Sequence, residues 1–327
     1  MMKRIPIFLI FIFCFDQAAF AVDVLDVFKF HRDTQVQLQQ DVSLYDPSQP
    51  HGVISPFTSY IGRLVSKLGS VKRLSDLPEL GVPVLKPGEF SVEYVDPKKM
   101  ADIQDQVVRR NYVGVKEFFV VRENLDRVFR MVTDYDHLDR LLPGMEVCRI
   151  VDRKANRVNV ENWRRTEASV FGKRKNYYLT ANIFSLGNGK NRRMIKSQLL
   201  KGDNRKIKYQ GTVFMDSLWY FEACGEQCTQ VFYMGFSLLG WDYMRTPAFF
   251  PFVSKEVRKQ LVAGVIEGGA RSSLAFLIKC GDPRFKNRSL SDFSQEDKRL
   301  ISQEVESRLE KLRKEGRIKV DWETVFD

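Results

Sequence analysis

The feature that most constrains the fold is a series of strand patterns followed by one long helical pattern. Between residues 146 and 239, apolar and polar side chains alternate in segments separated by turn residues such as Asn188-Gly189. Alternation with a period of two predicts half-buried strands, and Asn-Gly predicts a hairpin. Residues 254–278 then show helical spacing. Hairpin-ordered strands before a closing helix predict an α+β fold.

Two short helices interrupt the predicted strands once, near the start of the series. The strands are expected at residues 115–122, 146–152, 158–170, 177–185, 193–200, 207–215, 218–223 and 229–239. After the first strand, Asn124 is a suitable N-cap. Apolar residues then recur with helical spacing at Leu125, Val128, Phe129 and Val132.

The passage around these short helices resembles a known family. Thr133-Asp134-Tyr135-Asp136, Leu141-Leu142-Pro143-Gly144-Met145 and Cys148-Arg149-Ile150-Val151 follow one another in this order. Together with the long helix, they resemble the polyketide-cyclase/coenzyme-Q-binding branch of the START-like (SRPBCC) superfamily, over about residues 111–281. The resemblance implies a helix-grip fold, in which a curved antiparallel sheet wraps around the long C-terminal helix and leaves an apolar cavity between them.

The resemblance and the sequence patterns on either side of it divide the chain into four predicted segments. A signal peptide at residues 1–21 precedes an N-terminal extension or small accessory domain at 22–110. The START-like domain at 111–281 is followed by a helical tail at 282–327. The tail helix is expected to begin with a capping box at Ser294.

The first residues predict export. Lys3 and Arg4 precede a short apolar run, and Ala19-Phe20-Ala21 supplies the small residues that signal peptidase accepts. The apolar run is shorter than the roughly 20 residues that a membrane-spanning helix needs. We expect cleavage after Ala21 and a periplasmic or secreted protein.

The cysteines beyond the signal peptide are disulfide candidates. Cys224 and Cys228 flank a predicted hairpin turn and suit a local bridge, which leaves Cys148 and Cys280 as the second pair. No histidine lies near the first pair in the sequence, so no metal site is predicted there. No cofactor is predicted for the chain.

The strands and the long helix supply the candidate cavity residues. They are Trp163, Arg165, Trp219, Phe221, Phe232, Met234, Phe236, Leu261, Val265 and Gly268. Alternation places about half of the strand residues inside the sheet, but the sequence does not distinguish a cavity wall from ordinary core. The small residues near Gly268 fit either close helix–sheet packing or room for a ligand.

The connection between the last strand and the long helix is unusually aromatic. Its rings are Trp241, Tyr243, Phe249, Phe250 and Phe252. They fit a gate that touches a membrane, or core covered by the N-terminal extension. The formal net charge of +11 fits peripheral contact with an anionic membrane, or simply a solvated basic surface. Nucleic acid is not an expected partner outside the cytoplasm.

The sequence leaves three functions open. The first is an exported binder or carrier of a hydrophobic small molecule or lipid, which is lipid-, quinone- or polyketide-like. The second is a START-like cyclase or hydrolase, although the chain has no HExxH motif, nucleophile elbow or phosphate loop. The third is an envelope interaction protein with a collapsed cavity.

Overall fold

The computed structural model describes residues 56–96, 112–168, 172–185, 191–200, 212–239 and 251–320. The predicted signal peptide lies outside these ranges. So do the gate candidates Trp241, Tyr243, Phe249 and Phe250, and the side chain of Phe252.

Within these ranges, nine strands form one sheet. They are β1 (Phe90–Val95), β2 (Tyr112–Val121), β3 (Met145–Lys154), β4 (Arg157–Ala168), β5 (Gly172–Ser185), β6 (Arg192–Leu200), β7 (Thr212–Gly225), β8 (Cys228–Leu239) and β9 (Ile318–Lys319). The α-helices are α1 (Pro56–Ser70), α2 (Leu125–Val132), α3 (Pro251–Gly281) and α4 (Gln295–Lys314). Short 3-10 turns cover Leu74–Asp76, Pro78–Leu80, Leu138–Arg140 and Leu290–Asp292.

The strand order is β3-β4-β5-β6-β7-β8-β2-β1-β9. All neighbours pair antiparallel except β1 and β9, which run parallel. The sheet curves around α3, so the predicted α+β helix-grip fold is confirmed.

The sheet has two buried faces, which we call inner and outer. The inner face packs against α3 and includes Val115 and Phe119 of β2. The outer face carries a second core with α1 and the turns after it. The core residues are Ile61, Leu64, Leu68, Leu74, Leu77, Leu80, Val95, Phe118, Met194, Leu218, Tyr220, Phe232, Met234 and Phe236. Residues 56–80 thus cover the outer face, and β1 extends the sheet itself.

Strand β7 differs from the sequence expectation. Two strands were predicted at 207–215 and 218–223, but β7 runs unbroken through Asp216 and Ser217. Both residues are buried, and Ser217 pairs with Gly235 of β8. Backbone pairing continues through this polar step because the ladder depends on main-chain hydrogen bonds, whereas the prediction followed hydropathy.

The tail forms a helix that packs on α3. Ser294 and Asp297 form the predicted capping box at its N-terminus. One face of α4 is buried, at Ile301, Val305, Leu309 and Leu312. Ion pairs between α4 and Glu267 and Arg271 of α3 flank this contact. None of the described helices is long and apolar enough to span a bilayer.

Candidate ligand site

Large aromatic side chains face α3 from the sheet without being fully buried. Trp219, Tyr233 and Phe184 point inward and are half-buried. The Trp219 ring lies 4.6 Å from the Tyr233 ring and 6.2 Å, edge-on, from the Phe276 ring of α3. Their partial exposure means that neighbouring elements do not cover these three side chains completely.

Gly268 is a second position on α3 where space remains. It is half-buried and lies on the flank of α3 that carries Val265 and Ser272, which are also half-buried. A Cβ added at Gly268 would meet no described heavy atom within 4 Å. We call the region beside α3 that Trp219, Tyr233 and Phe184 line on the inner face the ligand space.

The neighbouring Gly269, in contrast, lies close to the sheet. A Cβ at Gly269 would lie 2.3 Å from Oε1 of Glu117 on β2, so a larger residue would displace either the Glu117 carboxyl group or the helix. The small residues of α3 therefore do not all serve one purpose. Gly269 allows close approach of α3 to β2, and Gly268 leaves room beside it.

Glu117 is an acid buried between β2 and α3. Its side chain is 1% exposed, and the hydroxyl of fully buried Ser273 donates a hydrogen bond to Oε2. Oε1 has no hydrogen-bond partner among the described residues. Burial raises the pKa of Glu117 to about 8, against the smaller, opposite effect of the Ser273 hydrogen bond. The carboxyl group is therefore mainly neutral at pH 7.

Polar side chains form a row across the middle of the inner face. The Nδ2 group of Asn182 donates to Oγ1 of Thr180 at 3.1 Å, and the Ser197 hydroxyl donates to Oδ1 of Asn182 at 2.6 Å. Ser197 pairs with Ser217 on the next strand, and Ser217 is hydrogen-bonded to Tyr233. We call these residues the polar row. They form a hydrogen-bonding band on the inner face.

Gly235 leaves room for the hydroxyl group of Tyr233, the last residue of the polar row. A Cβ at Gly235 would lie 2.3 Å from the Tyr233 hydroxyl oxygen, so the ring lies along its own strand above this glycine. Burial raises the pKa of Tyr233, and the neighbouring Glu117 raises it further. The Tyr233 hydroxyl is consequently a neutral donor and acceptor at the edge of the ligand space.

Arg164 brings a charge to the inner face. It alternates with buried Asn162 and Val160 on β4 and pairs with buried Met145 on β3, so its half-buried side chain faces inward. Its charge counteracts the rise in the pKa values of Cys148 and Tyr233 that burial causes. Arg164 forms neither an ion pair nor a hydrogen bond with any residue that the structure describes.

The structure separates the predicted cavity residues into two groups. Trp219, Phe221, Val265 and Gly268 lie on the inner side, whereas the side chain of Leu261 is outside the described residues. The cavity assignments that are wrong are Phe232, Met234, Phe236, Trp163 and Arg165.

Phe232, Met234 and Phe236 do share a face, but it is the outer one, and α1 covers it. Burial by α1 makes both faces of β8 apolar, so hydropathy could not show which face lines the interior. On β4, Trp163 and Arg165 alternate with the inward residues. Arg165 is exposed and pairs with Glu146 at 2.6 Å. Counting by twos from Val158 and Val160 would have identified Arg164.

One of the two predicted disulfides forms. Cys224 and Cys228 are bonded across the β7–β8 turn. The pairing of Cys148 with Cys280 is wrong, because both are free, buried thiols on different elements. The Cys280 Sγ atom instead lies 3.6 Å from the Met131 Sδ atom. In the described part of the chain, no cluster of three metal-ligating side chains occurs.

No protein-family model and no curated sequence matches this chain. Solved structures match it at low identity. A STAR-related lipid transfer protein from Xanthomonas axonopodis is 8% identical over 59% of this chain and 94% of that one, with a TM-score of 0.41. Human StAR-related lipid transfer protein 5 is 9% identical over 65% and 97%, with a TM-score of 0.40. An aromatase/cyclase from a Streptomyces species is 16% identical over 61% and 96%, with a TM-score of 0.37.

The fold itself is assigned from the strand order and from the position of α3 within the sheet.

Proposed function

We propose that this protein is an exported binder or carrier of an apolar ligand, held in the ligand space between the sheet and α3. The observation that carries the proposal is the half-burial of Trp219, Tyr233 and Phe184 on the face that should be the most protected. Two of the similar structures have lipid transfer in their names, but the proposal rests on this chain's own inner face.

The driving force for binding is burial of the aromatic surface that the fold leaves uncovered. Covering apolar surface contributes about 25 cal/mol per Å², and a large side chain that goes from half-buried to buried contributes on the order of 1 kcal/mol. Several such side chains and the matching ligand surface support binding of a ligand with a substantial apolar part. The polar row supplies hydrogen bonds for oxygen atoms on that ligand.

Export is the second part of the proposal. It is supported by the signal-peptide pattern of residues 1–21 and by the disulfide between Cys224 and Cys228, which suits an oxidising compartment. N-terminal sequencing of the protein from fractionated cells tests this part. A mature chain that begins at Val22 outside the cytoplasm is expected, and a full-length cytoplasmic chain would refute export.

A transfer assay tests the carrier part. Donor vesicles that contain a fluorescent, self-quenched lipid are mixed with acceptor vesicles, and the rate of dequenching is measured with and without the protein. We expect a rate proportional to protein concentration, and a reduced rate for Trp219→Ala. A protein that binds the lipid without accelerating its transfer would be a binder only.

An enzyme is the second candidate, and Glu117 is the observation that favours it. A neutral acid with a pKa near 8, on the strand beside Tyr233, has the properties that general acid catalysis uses. The test is the mass of polyketide-type ligands before and after incubation with the protein. A change in mass that Glu117→Gln abolishes would establish catalysis, whereas recovery of the unchanged ligands retains the carrier function.

A further inference from the structure

Arg164 and Arg165 are adjacent in sequence but lie in opposite surroundings. Arg165 points outward and is neutralised by Glu146. Arg164 points inward, opposite Met145, and has no ion-pair partner among the described residues. Since alternation along β4 accounts for this difference, the inward position of Arg164 does not depend on a particular rotamer.

A charged group in partly apolar surroundings is costly unless an opposite charge accompanies it. The acidic residues that act electrostatically on nearby Cys148 lie in the segment 134–139. Two of them already have partners, since Asp134 contacts His137 at 2.8 Å and Asp136 accepts a hydrogen bond from the Ile150 amide. The third, Asp139, forms no ion pair with Arg164.

The buried acid Glu117 does not neutralise Arg164 either. Glu117 lies between β2 and α3, is held by Ser273 and is mainly neutral at pH 7. It therefore neither pairs with Arg164 nor repels an anion near it. The groups that do face the same region are donors, namely the Tyr233 hydroxyl, on which the charge of Arg164 acts, and the buried amide of Asn162 two residues before Arg164.

We propose that Arg164 is the anion-binding residue of the ligand space, so that the ligand is lipid-like with a terminal carboxylate or phosphate group. This rests on the proposed function, because it assigns the polar end of the same ligand. The guanidinium forms two parallel charge-assisted hydrogen bonds to such a group. The Tyr233 hydroxyl adds a neutral donor, and the apolar chain lies against Trp219 and Phe184.

The test compares charged and neutral probes that share the same chains. Palmitate is paired with hexadecanol, and phosphatidic acid with diacylglycerol, and the dissociation constant of each is measured by competition. We expect wild-type protein to prefer the anion in at least one pair by about tenfold or more. The pair that shows the preference distinguishes a carboxylate from a phosphate ligand.

Arg164→Gln is expected to abolish that preference by weakening anion binding about tenfold while the neutral probe binds as before. Arg165→Gln is the matched control, because it removes the same charge from the outer face, and it should keep the preference. Arg164→Lys should restore part of it.

Two results would overturn the anion site and leave the proposed function intact. One is that wild-type protein binds both members of each pair equally, which needs no variant. The other is that Arg164→Gln and Arg165→Gln behave alike. If wild-type protein binds none of the four probes, the proposed function fails for lipid-like ligands, and the anion site fails with it.

Discussion

Replacing Gly268 with leucine tests whether the space beside α3 is occupied by ligand. No described atom lies within 4 Å of the Cβ position, so a side chain can begin there without a clash. Its four side-chain carbon atoms would then occupy volume that the ligand otherwise fills. At about 0.8 kcal/mol for each methylene group displaced, the loss is about 3 kcal/mol. This corresponds to a dissociation constant roughly 100-fold higher.

Gly264→Leu is the matched control. Gly264 lies one turn earlier on α3, is exposed and also has no described atom within 4 Å of its Cβ position. Both substitutions remove a helix-interior glycine and should stabilise the helix by a similar amount, on the order of 1 kcal/mol. Thermal unfolding then shows that both variants are folded, and ligand titration separates them. Equal affinities of Gly268→Leu, Gly264→Leu and wild type would refute the assignment of this space to a ligand.

Three further predictions concern the interior. Burial raises the pKa of Glu117 from its ordinary value of 4.5 to about 8, so its contribution to stability is complete below pH 4.5 and is lost as the pH rises towards 8. The free energy of unfolding, measured by chemical denaturation, should fall by up to about 1.4 kcal/mol per pH unit in that window for the wild type but not for Glu117→Gln. Parallel pH profiles for the two proteins would contradict the burial of this acid. Phe232→Ala should destabilise the protein by about 3–5 kcal/mol, yet leave the ligand affinity of the folded fraction unchanged, because Phe232 lies in the outer core; weakened binding would place it at the ligand. Cys148 and Cys280 should react with a thiol reagent only on unfolding, since burial raises both pKa values to about 12, and fast labelling of native protein would contradict this.

Much of the architecture could be predicted from local patterns. Period-two alternation located most strands, Asn124 and Ser294 were recognisable as helix caps, and the long helix was evident from its spacing. These features depend on residues close together in the sequence. Strand β1 was not predicted, because it is a short strand between proline-rich stretches that becomes regular only by pairing with β2.

The faces of the sheet could not be assigned in the same way. Residues 117–121 of β2 are all buried, because α3 covers one face and α1 covers the other. A strand buried on both sides shows no alternation of hydropathy. The aromatic residues of β8 therefore suggested a cavity wall although they belong to the outer core.

Individual polar residues of the interior were also hidden in the sequence. Glu117 resembles an ordinary strand glutamate until the approach of Gly269 and Ser273 shows that it is enclosed. Arg165 was predicted as the cavity residue in place of Arg164, an error of one residue that alternation from Val158 corrects. Both roles follow from tertiary packing between segments far apart in the chain.

The proposed function depends on an apolar ligand in the space between the sheet and α3. Native mass spectrometry of the protein purified from the cells that produce it, before and after extraction with organic solvent, would detect such a ligand. We expect a stoichiometric adduct that extraction removes, with an apolar chain and an acidic group in the extracted molecule. A protein that carries no adduct, and stays empty when offered mixed membrane lipids, would contradict the proposed function.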